Sequence, residues 1–275
     1  MITKFRIKNN TLSRNGRFLS ANDQYLSYVN ATKDEINSYV FDAVNGEISA
    51  TKLTENLFPT KQPHIFISHS SKDANLAISF ANALYSTYGI ISFIDSQLWA
   101  HIDFALKEMH EKYCKTPSGT SYYYSRSNNL LSHMHAILSM ALMRVMDNSD
   151  CVIFIESEHS IYNFMEDEYI HPYSKIRNPA ETLSPWISTE VNFANKLRRN
   201  GHIDRDLLIK AASESYRVDE SVKDLAKDGM PKIIHEIDVS DFVEITSRTL
   251  QNAFSITRTY PIHNLDMMYG KFYQG

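Results

Sequence analysis

The sequence predicts an α/β fold built on a parallel sheet, and three observations carry that prediction. The runs HIFIS (64–68), IISFID (90–95) and CVIFIES (151–157) are short, β-rich and almost wholly apolar, as strands covered on both faces must be. Between the first two lies DANLAISFANALYSTYG (73–89), whose Leu76, Ala77, Phe80, Ala83 and Leu84 recur at helical spacing. The connections between these runs are tight, so strand, helix and strand form a βαβ unit with a right-handed crossover. A chain of 275 residues, 43% hydrophobic and 22% charged, suits one large domain with extensions better than two full domains.

Each element has a local reason. Asp73 stands where a helix N-cap belongs, and Gly89 stands where a left-handed C-cap belongs. Helical pattern resumes over Ile102 to Tyr113. KTPSGTSYYYSRSNN (115–129) follows and reads as a loop by composition, and a strong helix from Leu130 to Met146 leads into the third strand. The tract 158–183, with two prolines and the run Glu166-Asp167-Glu168, reads as a long loop of the functional or mobile kind. SPWISTEVNFANKLRR (184–199) is a helix with Pro185 in its first turn. KIIHEID (232–238) is a further strand candidate, and SDFVEITSRTLQNAF (240–254) a capped helix. DLLIKAA (206–212) fits a strand or a helix equally. Before the first strand, residues 1–62 form an N-terminal extension that packs on or joins the main domain, with helices over Thr32 to Ala43 and Ala50 to Leu57. The expected division is 1–62 extension, 63–256 main domain and 257–275 C-terminal arm.

Composition excludes several function classes. The formal charge of −4 offers no broad basic surface for nucleic acid, and the Lys196–Arg199 cluster reads as a cationic helix end. Two cysteines, Cys114 and Cys151, cannot make a disulfide framework and suggest a reducing compartment. MITKFRIKNN turns polar too early for a secretory leader, and the longest greasy segment, Ala136 to Met146, is too short for a bilayer span. A soluble, cytoplasmic protein with no membrane or nucleic-acid partner is expected. His110 and Cys114 lie four apart on a helix, but two ligands make no zinc site. His133 and His135 point to divergent faces. No Gly-rich phosphate loop and no Gly-x-Ser-x-Gly elbow occurs.

In open α/β sheets, ligands bind beyond the carboxyl ends of the strands. Three polar loops converge there. The first brings Ser68, His69, Ser70, Ser71 and Lys72. The second brings Asp95, Ser96 and Gln97, then Trp99. The third brings Glu156 and Ser157, followed after the long tract by Ser184, Trp186 and Glu190. Taken singly, the serines read as capping residues, Trp186 as a core anchor and Glu190 as a solvated helix residue.

Their order and spacing resemble the TIR (Toll/interleukin-1 receptor) domain. HIFISHSSKD is similar to the family's opening strand with its Phe-Ile-Ser ending. GIISFID is similar to its second strand, and SPWISTEV to the Ser-x-Trp-x-x-x-Glu signature of members that consume NAD. The match covers about Gln62 to Arg199 and extends toward Ser255. The resemblance implies a flavodoxin-like fold and NAD+ as substrate, with no cofactor and no metal. It implies Glu190 as the catalytic residue, and Phe66, Ser68, His69, Ser70, Ser71, Asp95, Trp99, Phe104, Ser157, Ser184 and Trp186 as substrate-binding residues. It further implies self-assembly through TIR–TIR contacts, and a role in bacterial antiphage defence in which an ADP-ribose-derived product informs a separate effector. The chain departs from the pattern in lacking a glycine at Ala100-His101-Ile102, in carrying Ser70 and Ser71 where relatives are basic, and in the length of the 158–183 tract. A purely scaffolding TIR module, or a nucleoside deoxyribosyltransferase-like enzyme, are the competing expectations.

Overall fold

In the computed structural model, the described residues are 3–20, 63–96, 106–162, 180–197, 235–253, 264–266 and 269–270. Strands β1 (Thr3–Lys8), β2 (Ile65–Ser68), β3 (Ser92–Ile94), β4 (Cys151–Glu156), β5 (Ala180–Thr182), β6 (His235–Ile237) and β7 (Val243–Glu244) alternate with helices. The helices are α1 (Asn9–Ser13), α2 (Ala74–Tyr88), α3 (Tyr124–Asn148), α4 (Pro185–Lys196) and α5 (Ser247–Ala253). Five strands form one parallel sheet in the order β3-β2-β4-β1-β7, while β5 and β6 pair antiparallel as a separate two-stranded ribbon. The α/β class and the parallel sheet are therefore as expected, and the arrangement is consistent with a flavodoxin-like fold.

Strand β1 was not expected as a strand at all. It pairs along its whole length with β4, from Thr3 opposite Cys151 to Lys8 opposite Glu156, and on its other edge with β7. The boundary drawn at residue 62 consequently cuts through the sheet. What reads as an extension contributes an interior strand, because TKFRIK alternates charged and apolar residues with period two. The helices expected over Thr32 to Ala43 and Ala50 to Leu57, the DLLIKAA segment and the Glu166–Glu168 run lie outside the described residues.

Side-chain alternation divides the core into two layers. Phe5, Ile7, Ile65, Ile67, Ile94, Ile153 and Ile155 project to one face. There α2 buries Ala77, Phe80, Ala81 and Leu84 against them. Phe66, Phe93, Val152 and Phe154 project to the other, beneath α3 and α4. Each fully buried large aliphatic or aromatic side chain contributes about 1.5–3 kcal/mol relative to exposure, so both layers are needed to hold the sheet. The C-terminal arm joins the first layer. Leu265 is fully buried, Asn264 Nδ2 donates to Tyr88 O at 3.0 Å, and Tyr269 stacks on Phe5 with ring centroids 6.0 Å apart.

Other boundaries shift for local reasons. Helix α3 begins at Tyr124, so the last six residues of the tyrosine- and serine-rich stretch read as loop are helical. Only Lys115 to Tyr122 closes as a turn, bridged by those two residues, with Gly119 at a φ of 70° where a left-handed residue is required. The tract 158–183 conceals β5. The capped helix expected from Ser240 starts at Ser247 instead. Thr246 and Thr249 cap it reciprocally, Thr249 N donating to Thr246 Oγ1 at 3.2 Å and Thr246 N to Thr249 Oγ1 at 2.8 Å. Gly89 does take the left-handed C-cap, at a φ of 66°. Among the described residues, no helix is long and apolar enough to cross a membrane.

Candidate active site

In the sheet order β2 lies between β3 and β4: the chain runs from β2 to β3 on one side and then crosses back to β4 on the other, so the winding direction reverses there. A doubly wound sheet opens its ligand crevice beyond the carboxyl end of such a strand. The chain supplies its small polar side chains at that point, since Ser68 ends β2 and Asp95 follows β3 directly. Helix α4 passes above them. Its start is fixed by Ser184, whose Oγ accepts from Ile187 N at 3.3 Å, and by Pro185 in the first turn. Glu190, on the second turn of α4, is thereby carried inward and is only 1% exposed.

Four of the expected residues come together here. Ser68 Oγ donates to Glu190 Oε2 at 2.5 Å. The Asp95 side chain lies beside the Glu190 carboxyl. His69 Nδ1 lies 3.2 Å from Asp95 Oδ1, and Ser96 N donates to the same oxygen at 2.8 Å. His69 Nε2 is 2.9 Å from Ser96 Oγ, which links Ser96, His69 and Asp95 in one cluster beside the Ser68–Glu190 pair. Both neighbours of Nδ1, Asp95 Oδ1 and Ile67 O at 3.3 Å, are acceptors, so that nitrogen carries the proton.

Burial raises the Glu190 carboxyl well above the usual carboxylate range. The negative charge of Asp95 pushes the same way, against the Ser68 hydroxyl, which favours the ionised form. No cation among the described residues is among the groups that act on it. Glu190 Oε1 receives no donor from any other group among the described residues.

The remaining expected residues have other duties. Phe66 is a core residue rather than a rim residue, fully buried and stacked on Phe93 at 5.5 Å, because even-numbered positions of β2 face α3. Trp186 is likewise drawn into the core, set edge-on to His135 of α3 with centroids 6.0 Å apart. Ser157 is buried and donates to Asp73 Oδ2 at 2.5 Å, tying the end of β4 to the start of α2. Asp73 therefore does not cap α2 with its side chain, and the cap of the preceding 3₁₀ turn is Ser70, whose Oγ accepts from Lys72 N at 3.4 Å. Ser71 is exposed and Ser184 serves as the cap described above. Trp99 and Phe104 lie outside the described residues.

Two residues escaped the sequence reading. Ser96 stood in the second polar loop but was given no role, although it holds both His69 and Asp95. Arg6 was hidden in the supposed extension. It donates from Nη1 to Glu156 Oε1 and from Nη2 to Glu244 Oε2, both at 3.2 Å, beside the end of β4. The period-two alternation of TKFRIK was the signal that could have found it. Among the described residues, no group of three His, Cys, Asp or Glu side chains is arranged to hold a metal ion.

No family model, no curated protein and no solved structure matches this chain.

Proposed function

We propose that the chain is an enzyme that splits the nicotinamide–ribose bond of NAD+, as an NAD+ glycohydrolase or ADP-ribosyl cyclase, with Glu190 as its catalytic residue. The observation that carries this reading is the inward position of Glu190, hydrogen-bonded to Ser68 at the carboxyl end of β2. Nicotinamide leaves NAD+ from a cationic pyridinium, so it departs neutral and needs no general acid. What remains is positive charge developing on the ribose, and a preorganised carboxylate away from bulk water stabilises that charge. The Ser68 hydroxyl stands where a ribose hydroxyl would bond to Glu190, one O–H donor replacing another. Capture by water gives ADP-ribose, and capture by an atom of the same molecule gives a cyclic product.

The resemblance to TIR domains supports the wider reading: an oligomer assembled through TIR–TIR contacts, acting in bacterial antiphage defence through a product read by a separate effector. A second reading, a nucleoside deoxyribosyltransferase-like enzyme, gains support from Asp95, because a neutral leaving base needs the acid that a second carboxyl supplies. The test is to incubate purified protein with NAD+, with and without a phage-derived trigger, and to follow nicotinamide. Glu190→Gln is expected to lose release by at least about 10³-fold, the scale of removing a group that stabilises developing charge. Base exchange between deoxynucleosides, with NAD+ left intact, would establish the second reading instead.

A further inference from the structure

Parallel register brings a hydroxyl, an imidazole and a carboxyl to one rim of the sheet. Ile67 pairs with Ile94, so Ser68 and His69 after the one, and Asp95 and Ser96 after the other, leave the sheet side by side. His69 Nδ1 carries its proton toward Asp95 Oδ1 at 3.2 Å, which puts the lone pair of the neutral ring on Nε2. That lone pair meets Ser96 Oγ at 2.9 Å. Ser96 N donates to the same Asp95 oxygen at 2.8 Å, which fixes the backbone that carries the hydroxyl. A hydroxyl on a base, with the base held by an orienting acceptor, is the arrangement that activates a serine as a nucleophile. His69 and Asp95 are buried, whereas Ser96 keeps part of its surface exposed.

The surroundings decide which electrophile such a serine suits. Attack on an ester or amide gathers negative charge on an oxyanion, which N–H donors or cations stabilise. The groups beside Ser96 are acidic. Asp95 adjoins it in the chain, and Ser68, the residue before His69, donates to Glu190 Oε2 at 2.5 Å. A rim of carboxyls favours a centre on which positive charge develops, as at the anomeric carbon of a ribosyl group that is losing a neutral base.

We infer that Ser96 is a covalent acceptor of the ribosyl group: once the nicotinamide–ribose bond opens at Glu190, the Ser96 hydroxyl, with His69 as its base, captures the anomeric carbon and the chain modifies itself with ADP-ribose. The inference rests on the NAD+ reading. The C–N bond breaks with its electron pair passing to the pyridinium ring, which leaves as neutral nicotinamide. A bond forms between Oγ and the ribose carbon, and the Oγ proton passes to His69 Nε2 and then to buffer. With that proton gone the ring is no acid for the reverse step, so the adduct persists. Asp95 is a positioning residue in this scheme, since it acts by holding the imidazole.

The probe is NAD+ itself, given to the full chain with and without the phage-derived trigger. Nicotinamide is measured in solution, and the adduct is located by peptide mass spectrometry. Wild type is expected to carry ADP-ribose on Ser96, and Ser96→Ala to carry none on that peptide. His69→Gln is expected to lower the ratio of adduct to nicotinamide by at least about 10²-fold, the scale of a lost general base. Asp95→Asn is expected to lower the same ratio by at least about tenfold, because the imidazole loses its fixed tautomer. Partial unfolding does not move this ratio, since both products come from the same folded molecules. Nicotinamide release with Ser96 unmodified overturns the inference and leaves the NAD+ reading standing. So does an unchanged ratio in either variant, or labelling of Ser96 by ADP-ribose supplied in place of NAD+. Failure to release nicotinamide with or without the trigger overturns both.

Discussion

Two buried glutamates stand near the carboxyl ends of neighbouring strands, and their surroundings differ in one respect. Glu156 ends β4, is fully buried and keeps Oε2 without a donor among the described residues, but its Oε1 meets Arg6 at 3.2 Å. Glu190 is buried to nearly the same degree and also has one oxygen without a donor, yet its ionisable neighbour is a second carboxyl. Burial raises both acids. For Glu156 the Arg6 guanidinium opposes the rise, whereas for Glu190 Asp95 adds to it. The first arrangement neutralises a charge that the sheet has enclosed. The second sustains an unfavourable proximity that packing alone would not require, which is what the proposed function asks of Glu190.

The contrast can be broken at either end. Its largest expression is in function: replacing the ion pair as Arg6→Met/Glu156→Leu is expected to leave nicotinamide release within a fewfold of wild type, against the loss expected for Glu190→Gln. An equal loss in both would erase the distinction. Next in size is stability. Arg6→Met alone strands Glu156 and is expected to cost about 3–5 kcal/mol in denaturant unfolding, most of it recovered in the double variant, because a buried pair is worth little against apolar replacements while an orphaned charge is costly.

The pH dependence sharpens the comparison further. Glu190 has a folded-state pKa above its unfolded one, so the native chain holds the extra proton between the two. Stability from this group is full below the ordinary glutamate range and is lost as pH rises through the raised value. Glu190→Gln is therefore expected to raise Tm at neutral pH, and to match wild type at about pH 3, below the ordinary glutamate range. A lower Tm at pH 7 would contradict the upward shift of Glu190. The smallest effect belongs to the element that carries Glu190. Ser184→Ala removes the α4 N-cap and is expected to cost about 1 kcal/mol by the same unfolding measurement.

Much of this could be read in advance where local chemistry decides the outcome. HIFIS and CVIFI are buried on both faces and could hardly be anything but interior strands. Ser184 and Pro185 announced α4, and helical spacing then put Glu190 and Trp186 one turn apart. Helical spacing did not say which of the two would face the strand ends. Trp186 went to the apolar layer under α3, where its area is better buried, and Glu190 went to Ser68. Strand β1 was missed because its pairing is wholly non-local: six residues of alternating charge look like a polar terminus until β4 is brought alongside. Asp73 misled in a similar way, since a cap and a tether to Ser157 begin from the same residue type.

The position of β1 bears on how the chain is made. Its partners, β4 and β7, begin at residues 151 and 243, so β1 leaves a ribosome well before either strand it pairs with. An unpaired strand carrying Phe5 and Ile7 invites association with other nascent chains. Lys4, Arg6 and Lys8, spaced between and around those two, are the kind of charge that discourages it. The cation that later pairs with Glu156 in the finished sheet thus first keeps its own strand solitary during synthesis.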